Sequence, residues 1–93
     1  MIRLSPGAEA DLLSIVETIA ADSGAAVAFQ VYDRIRGALL PLDRFPLMAR
    51  AGRVAGTREL AVAGLPYIVV YEPEPDGVLV ISIIHGAMQW PPE

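Results

Sequence analysis

The chain has 93 residues, of which 54% are hydrophobic, and it carries a net charge of −4. This length predicts a single domain, residues 1–93, near the lower size limit for a self-sufficient core. The sequence has no cysteine and only one histidine. It therefore excludes disulfides, thiolate metal sites and multi-histidine metal sites, and we expect neither a metal nor a cofactor.

The distribution of acidic and apolar residues bears on location and partners. Glu9, Asp11 and Glu17 interrupt the first apolar pattern, which is typical of an amphipathic helix rather than a signal peptide, and no apolar run reaches transmembrane length. We therefore expect a soluble, cytoplasmic protein that does not bind membranes. The net charge argues against broad nucleic-acid binding. The apolar fraction is high for so small a domain and predicts surface that a partner covers.

Two helices follow a short apolar segment, "IRL". Ser5 suits an N-cap and Pro6 the first helical position, which together predict a helix over about residues 6–22 that ends at "DSG". A second helical pattern, "AAVAFQVYDRIRGALLPLDRFP", begins after a very short turn and should end near residue 40, because Pro41 cannot donate a helical hydrogen bond. So short a connection predicts an antiparallel helical hairpin.

The rest of the chain alternates in the manner of strands. "TRELAV", "YIVVY" and "VLVISIIH" are separated by the turns "GLP" and "EPEPDG", which predicts an antiparallel meander. The expected fold is α+β with two layers in the order β-α-α-β-β-β, in which the helical hairpin packs on one face of an antiparallel sheet. The first strand would join an edge of that sheet.

Strict alternation predicts which side chains face the helices. Tyr67, Val69 and Tyr71 should point to the helices, which leaves the other side of each strand as an open face. The expected open face consists of Glu59, Ala61, Ile68, Val70, Val80, Ser82 and Ile84.

The basic residues are unevenly distributed. Arg44, Arg50, Arg53 and Arg58 lie within fifteen residues that contain no acid. This predicts a local basic patch that could bind an acidic or nucleic-acid-bearing target surface. A solvated arginine-rich loop without a partner is the alternative.

The stretches "GRVAGTRELAVAGLPYIVVY" and "VLVISIIHGAMQWP" resemble the C-terminal half of the RelE/ParE superfamily of toxins from bacterial type II toxin–antitoxin modules. The segment "SPGAEADLLSIVETIAADSG" is similar to the opening helix of that superfamily, and "RFP" lies where relatives usually have "FP". The resemblance covers nearly the whole chain and is closest on the ParE side. It implies a compact toxin held inactive by an antitoxin whose C-terminal segment wraps around it.

The resemblance also implies a choice between two activities. RelE-like members cut messenger RNA on the ribosome, whereas ParE-like members share the fold, poison DNA gyrase and lack nuclease activity. Phosphodiester cleavage needs a cation for the charge that develops on phosphate. Ile68 stands where nuclease relatives carry an arginine, and Ser82 stands where many ParE-side relatives carry one. These residues argue against nuclease chemistry, and the resemblance to the ParE side then implies a non-enzymatic toxin that inhibits DNA gyrase by stabilising a cleaved gyrase–DNA complex.

The partners expected from the resemblance are a ParD-like ribbon-helix-helix antitoxin and DNA gyrase, with nucleic acid contacted only through a target complex. We expect the antitoxin to cover residues 26–42 and the open sheet face, and the target to meet the basic patch. The expected antitoxin-binding residues are Val27, Val31, Ile35, Leu39, Ile68, Val70 and Ser82, and the expected target-binding residues are Arg44, Arg50, Arg53 and Arg58.

Two alternative functions stay open. One is a ribosome-dependent mRNA endonuclease that uses His85 and Glu59 as acid–base residues. The other is a degenerate toxin that serves only as an antitoxin-binding or corepressor subunit, as the serine at position 82 suggests. For a non-enzymatic toxin, His85 is a framework residue that faces the helices, Trp90 anchors the tail rather than stacking on a base, and Glu59 forms a surface pair with Arg58.

Overall fold

A computed structural model describes residues 1–86 and 90–92 of the chain. One strand precedes two helices, a 3₁₀ turn at Leu40–Asp43 ends the helical part, and four more strands of the same sheet follow. The helices are α1 (Pro6–Ser23) and α2 (Ala25–Leu39), and the strands are β1 (Ile2–Leu4), β2 (Arg50–Ala51), β3 (Arg58–Ala61), β4 (Tyr67–Glu74) and β5 (Gly77–His85).

The helices begin and end where the local sequence predicts. The Ser5 side chain accepts a hydrogen bond from the Ala8 amide at 3.0 Å and caps α1, with Pro6 in the first turn. Gly24, at φ +91°, separates α1 from α2 in a conformation that disfavours any residue with a side chain. Pro41 falls in the 3₁₀ turn just after α2. The predicted helical hairpin is confirmed to within a residue or two at each end.

The sheet has the strand order β1-β5-β4-β3-β2. β1 pairs in parallel with β5, and the other neighbours are antiparallel. The α+β class and the edge position of β1 are confirmed, but the expectation of a purely antiparallel sheet is wrong. A parallel pair needs a long crossover connection, and the helical hairpin is part of the connection between β1 and β5. β2 was not predicted, because two residues are too few to show alternation.

The core lies between the helices and one face of the sheet. Val69 and Tyr71 of β4 are fully buried there, and Tyr67 packs against the same cluster, as alternation predicts. In α2, the residues that contribute to this core are Ala28, Val31, Ile35 and Leu39. No helix in the described part of the chain is both long and apolar enough to cross a membrane.

A β-bulge in β5 changes which side chains face the helices. The register passes from Val70 opposite Ser82 to Tyr71 opposite Val80, which leaves Ile81 without a partner on β4. One extra residue shifts the alternation by one position. Val80 is therefore buried in the helix-facing core, and its expected place on the open face is wrong.

Candidate functional site

Glu59 on β3 is the centre of a buried ionic cluster. Its side chain is only 1% exposed and receives hydrogen bonds from two arginines. Arg53 donates its backbone amide to Oε2 at 2.8 Å and its Nη2 to Oε1 at 2.9 Å, and Arg50 donates its Nη2 to Oε1 at 3.0 Å. The expected surface pair between Glu59 and Arg58 is therefore wrong, because the partners of Glu59 are Arg50 and Arg53.

The arginines determine the ionisation of this carboxyl group. The hydrogen bond from the Arg53 side chain is the largest influence and outweighs the opposing effect of burial. Together with the Arg53 amide and charge and the Arg50 hydrogen bond, it lowers the pKa of Glu59 to about 2. At neutral pH Glu59 therefore has no proton to donate and is a very weak base.

The loop that carries Arg53 is compact because Gly52 allows a close approach. The Gly52 amide donates to the Thr57 carbonyl at 2.8 Å, and a Cβ at position 52 would lie 2.1 Å from Thr57 Oγ1. The Thr57 hydroxyl donates to the Val54 carbonyl at 2.7 Å and closes the turn. This turn brings the Arg53 amide to the carboxylate of Glu59.

Arg58 has a different role from its neighbours in the sequence. Its Nη1 donates to the carbonyl oxygens of Leu47 at 3.2 Å and Ala49 at 2.7 Å. Tyr71 donates its hydroxyl to the Pro46 carbonyl at 2.8 Å, and burial raises the pKa of Tyr71, which keeps that hydroxyl protonated. Two side chains from the sheet thus hold the backbone of the preceding loop.

We call residues 44–50 the basic loop. Phe45, Leu47 and Met48 are 58%, 62% and 51% exposed, although all three are large and apolar. Arg44 and Arg50, at the two ends of the loop, are exposed as well. Sequence reasoning identified the arginines and missed the apolar residues. The signal was the run "RFPLM", which concentrates large apolar side chains where neither a helix nor a strand pattern can bury them.

A second exposed apolar surface lies between the two helices. Val16 and Ala20 of α1, with Phe29 and Tyr32 of α2, line an open cavity of about 300 Å³. An adjoining depression shares Val16 and Tyr32 and includes Leu13. Phe29 is 69% exposed and Leu13 is 59% exposed. We call the surface formed by these residues the hairpin groove; Phe29 and Leu13 were not among the predicted site residues.

The seven residues that were expected to bind the antitoxin differ in how far they are exposed. Val31, Ile35 and Leu39 are at most 9% exposed, and Val70 is fully buried, so these four offer no surface to a partner and their assignment is corrected. They share the apolar periodicity of α2 or β4, which marks a buried face as readily as a binding face.

The remaining three residues differ in their surroundings. Val27 is 40% exposed, and Ile68 is half-buried beside Arg50 and Arg53. Ser82 is half-buried at the sheet edge, where its hydroxyl donates to Asp11 of α1 at 2.8 Å. The same carboxylate accepts the Ile83 amide at 2.9 Å, so Ser82 is tied to α1, although its register opposite Val70 places it on the face that was expected to be open.

The two acid–base candidates lie on opposite faces of the sheet. His85 is directly opposite Tyr67, whose side chain faces the helices, and their rings meet edge to face with centroids 5.9 Å apart. Glu59 is opposite Val70, whose side chain points the other way. Residues directly opposite each other on neighbouring strands share a face. The sheet therefore separates His85 from Glu59.

Other expected features can be located as well. Among residues 1–86 and 90–92, no group of three potential ligands could hold a metal ion. Trp90 is half-buried, and its role as an anchor stays a prediction; positions 87–89 of the "HGAMQW" motif lie outside the described residues.

These features define a small two-layer α+β domain with two exposed apolar surfaces and a buried, ionised glutamate. Residues 2–90 match the family described as ParE toxin of type II toxin-antitoxin system, parDE. The chain therefore belongs to the family of ParE toxins of type II toxin–antitoxin systems, and the resemblance found in its motifs is confirmed.

The proteins that are similar to this chain include one curated relative and one solved structure. One, named "Putative toxin Y4kP", comes from Sinorhizobium fredii (strain NBRC 101917 / NGR234) and is 39% identical over 64 residues. That match spans 69% of this chain and 66% of the relative, slightly less than two thirds of its length. The other is a solved structure described as "Chromosomal ParDE TA system from P. aeruginosa". It has a TM-score of 0.82 and 20% identity, covers 90% of this chain and 92% of that one, and supports the fold.

Proposed function

We propose that this ParE-family toxin inhibits DNA gyrase and is neutralised by a cognate ParD-like ribbon-helix-helix antitoxin. The toxin acts by binding, and it stabilises the cleaved complex of gyrase with DNA. A binding mechanism is supported by one observation: the domain exposes two separate apolar surfaces, the hairpin groove and the basic loop. Surfaces of this kind mark protein interaction sites on small domains.

The chemistry of the sheet supports binding over catalysis. Glu59 is an ionised carboxylate bound to two arginines, and His85 lies on the other face. Ile68 and Ser82, where relatives carry arginines, supply no cation. An RNA-cleaving site needs a base, an acid and a cation together on one surface, and these residues do not provide that combination.

The hairpin groove is the proposed site for the antitoxin. An amphipathic helix binds an apolar groove by placing residues at helical spacing into it. Phe29 and Leu13 are exposed in this groove, whereas Val27, two residues before Phe29 on the same helix, does not line it. This placement replaces the buried members of the predicted set with exposed neighbours, and contact of the antitoxin with Val27 stays a separate prediction.

A supercoiling assay tests the proposed function. Purified toxin, gyrase, ATP and relaxed plasmid are incubated with and without the antitoxin encoded beside the toxin gene. We expect loss of supercoiling and accumulation of cleaved plasmid, both abolished by one equivalent of antitoxin.

Other outcomes of parallel assays contradict the proposal. Normal supercoiling together with site-specific cuts in messenger RNA on translating ribosomes, lost on His85→Ala, indicates the nuclease alternative. Absence of growth arrest after expression without antitoxin indicates a degenerate toxin that only binds its partner.

A further inference from the structure

Most side chains of the basic loop are exposed, although side chains from the sheet hold its backbone. Tyr71 and Arg58 donate hydrogen bonds to the carbonyls of Pro46, Leu47 and Ala49 from the sheet side. Within the loop, the Met48 amide donates to the Phe45 carbonyl at 3.1 Å. A loop held in one conformation loses little entropy when it binds, which favours affinity.

The exposed residues of this loop combine apolar area with positive charge. Phe45, Leu47 and Met48 lie between Arg44 and Arg50, and no acid occurs from position 44 to position 58. Arg50 shares one carboxylate with Arg53 and still exposes 67% of its side chain. Two guanidinium groups on one carboxylate leave a net positive charge beside the apolar residues.

The helices that form the hairpin groove carry the opposite net charge. The two helices that form it, Pro6–Ser23 and Ala25–Leu39, carry five acids and only two arginines. An acidic partner surface is attracted to the basic loop and repelled by the helices. Complementary charge therefore distinguishes the occupants of the two surfaces.

We propose that the basic loop is the surface through which the toxin contacts its cellular target, and that this target presents an apolar depression surrounded by acidic side chains. Phe45 and Leu47 enter the depression, and Arg44 and Arg50 meet the acids. Arg58 and Tyr71 are positioning residues that hold the loop. The proposal rests on the proposed function only in that the toxin acts by binding a protein; it does not require that protein to be gyrase.

A matched pair of phenylalanine substitutions tests this assignment. Phe45→Ser changes the basic loop, and Phe29→Ser changes a comparably exposed phenylalanine of the hairpin groove. Growth arrest is measured after induction without antitoxin, at equal intracellular protein level. Antitoxin affinity is measured by calorimetry and the fold by thermal unfolding.

We expect the two variants to lose different properties. Phe45→Ser should arrest growth at least tenfold more weakly and bind antitoxin within twofold of the wild type. Phe29→Ser should show the reverse, because residues at the centre of an apolar contact carry most of its binding energy. Retained antitoxin binding by Phe45→Ser also shows that this variant is folded.

A charge-reversal pair tests the electrostatic half of the proposal. Arg44→Glu should weaken growth arrest, whereas Arg36→Glu, an exposed arginine of α2 beside the hairpin groove, should leave it unchanged. Equal effects of the two substitutions would indicate a response to net charge alone and would overturn the acidic-target assignment.

The remaining outcomes separate this inference from the proposed function. Full growth arrest by Phe45→Ser overturns the basic loop as target surface and leaves gyrase inhibition untouched. Weakened arrest by Phe45→Ser, when wild-type toxin leaves gyrase unaffected, supports the loop and contradicts the choice of target. A concentration-dependent oligomer that Phe45→Ser converts to a monomer indicates contact between copies of the chain and overturns the proposal.

Discussion

The hairpin groove and the basic loop both expose large apolar side chains, but they hold them by different means. In the groove, the exposed residues stand on α1 and α2, whose helical backbone groups bond to one another. In the loop, Tyr71 and Arg58 bind carbonyls that no regular element satisfies. A helical surface therefore tolerates changes elsewhere in the domain, whereas a loop surface depends on a few donors from the sheet.

The largest expected effect comes from separating the two faces of α2. Ile35→Ala should lower the free energy of unfolding by about 2–5 kcal/mol, because it leaves a cavity in a fully buried site. Phe29→Ala, at a position 69% exposed in the hairpin groove, should lower it by about 0.5 kcal/mol or less and weaken antitoxin binding instead. Urea unfolding and calorimetry measure the two quantities. Similar destabilisation by both substitutions would remove the distinction between a core face and a binding face.

The ionic cluster beside the basic loop provides the second test. In the folded protein the pKa of Glu59 is about 2, whereas the ordinary pKa of a glutamate is 4.5. Its contribution to stability is therefore fully present above about pH 4.5 and is lost as the pH falls toward 2. Because its arginine partners are partly exposed, we expect Glu59→Gln to cost about 2 kcal/mol at pH 7 and to flatten the acid dependence of unfolding.

A matched control for this cluster is the ion pair of Arg3 with Glu74, whose side chains are 54% and 32% exposed. Glu74→Gln should change the free energy of unfolding by less than about 0.5 kcal/mol. Urea titrations from pH 7 to pH 2.5 compare the two variants. Parallel acid curves for wild type and Glu59→Gln would be inconsistent with a strongly lowered pKa.

The smallest expected effect removes one of the bonds that hold the loop. Tyr71→Phe keeps the buried ring and deletes the hydroxyl that donates to Pro46, at an expected cost of about 1 kcal/mol. Hydrogen exchange of the loop amides should become faster, and growth arrest weaker, while antitoxin affinity stays unchanged. Tyr32→Phe, in the hairpin groove, is the control. Unchanged exchange in Tyr71→Phe would show that the loop is held by other contacts.

Much of the fold could be predicted because its signals are local. The Ser5 cap, the proline after it and Gly24 lie at the helix ends that they define. The bulge in β5 was missed because "VLVISIIH" is apolar at nearly every position and so shows no break in its pattern, and only pairing with β4 reveals that Ile81 is extra. Periodicity also placed Val31 and Ile35 on the apolar face of α2, but it does not distinguish a face that packs in the core from one that binds a partner.

The candidate site was less predictable than the fold, because its contacts join residues that are distant in sequence. The four arginines of the acid-free stretch cannot be told apart in the sequence. In the structure, however, Arg58 holds the loop, Arg53 binds Glu59 and Arg44 is exposed. No local pattern distinguishes these roles, since each depends on the side of a strand or turn to which the guanidinium points.

The sequence alone determined the helical hairpin, the strands of the meander and the membership of a toxin superfamily, because capping, periodicity and short motifs act over a few neighbouring residues. Only the tertiary structure decided that Glu59 is an ionised anchor rather than a base, that His85 lies across the sheet from it, and that Phe45 and Leu47 face solvent. The physical reason is that strand register and side-chain donors from distant segments set the surroundings of each group, and those surroundings determine both its pKa and its accessibility.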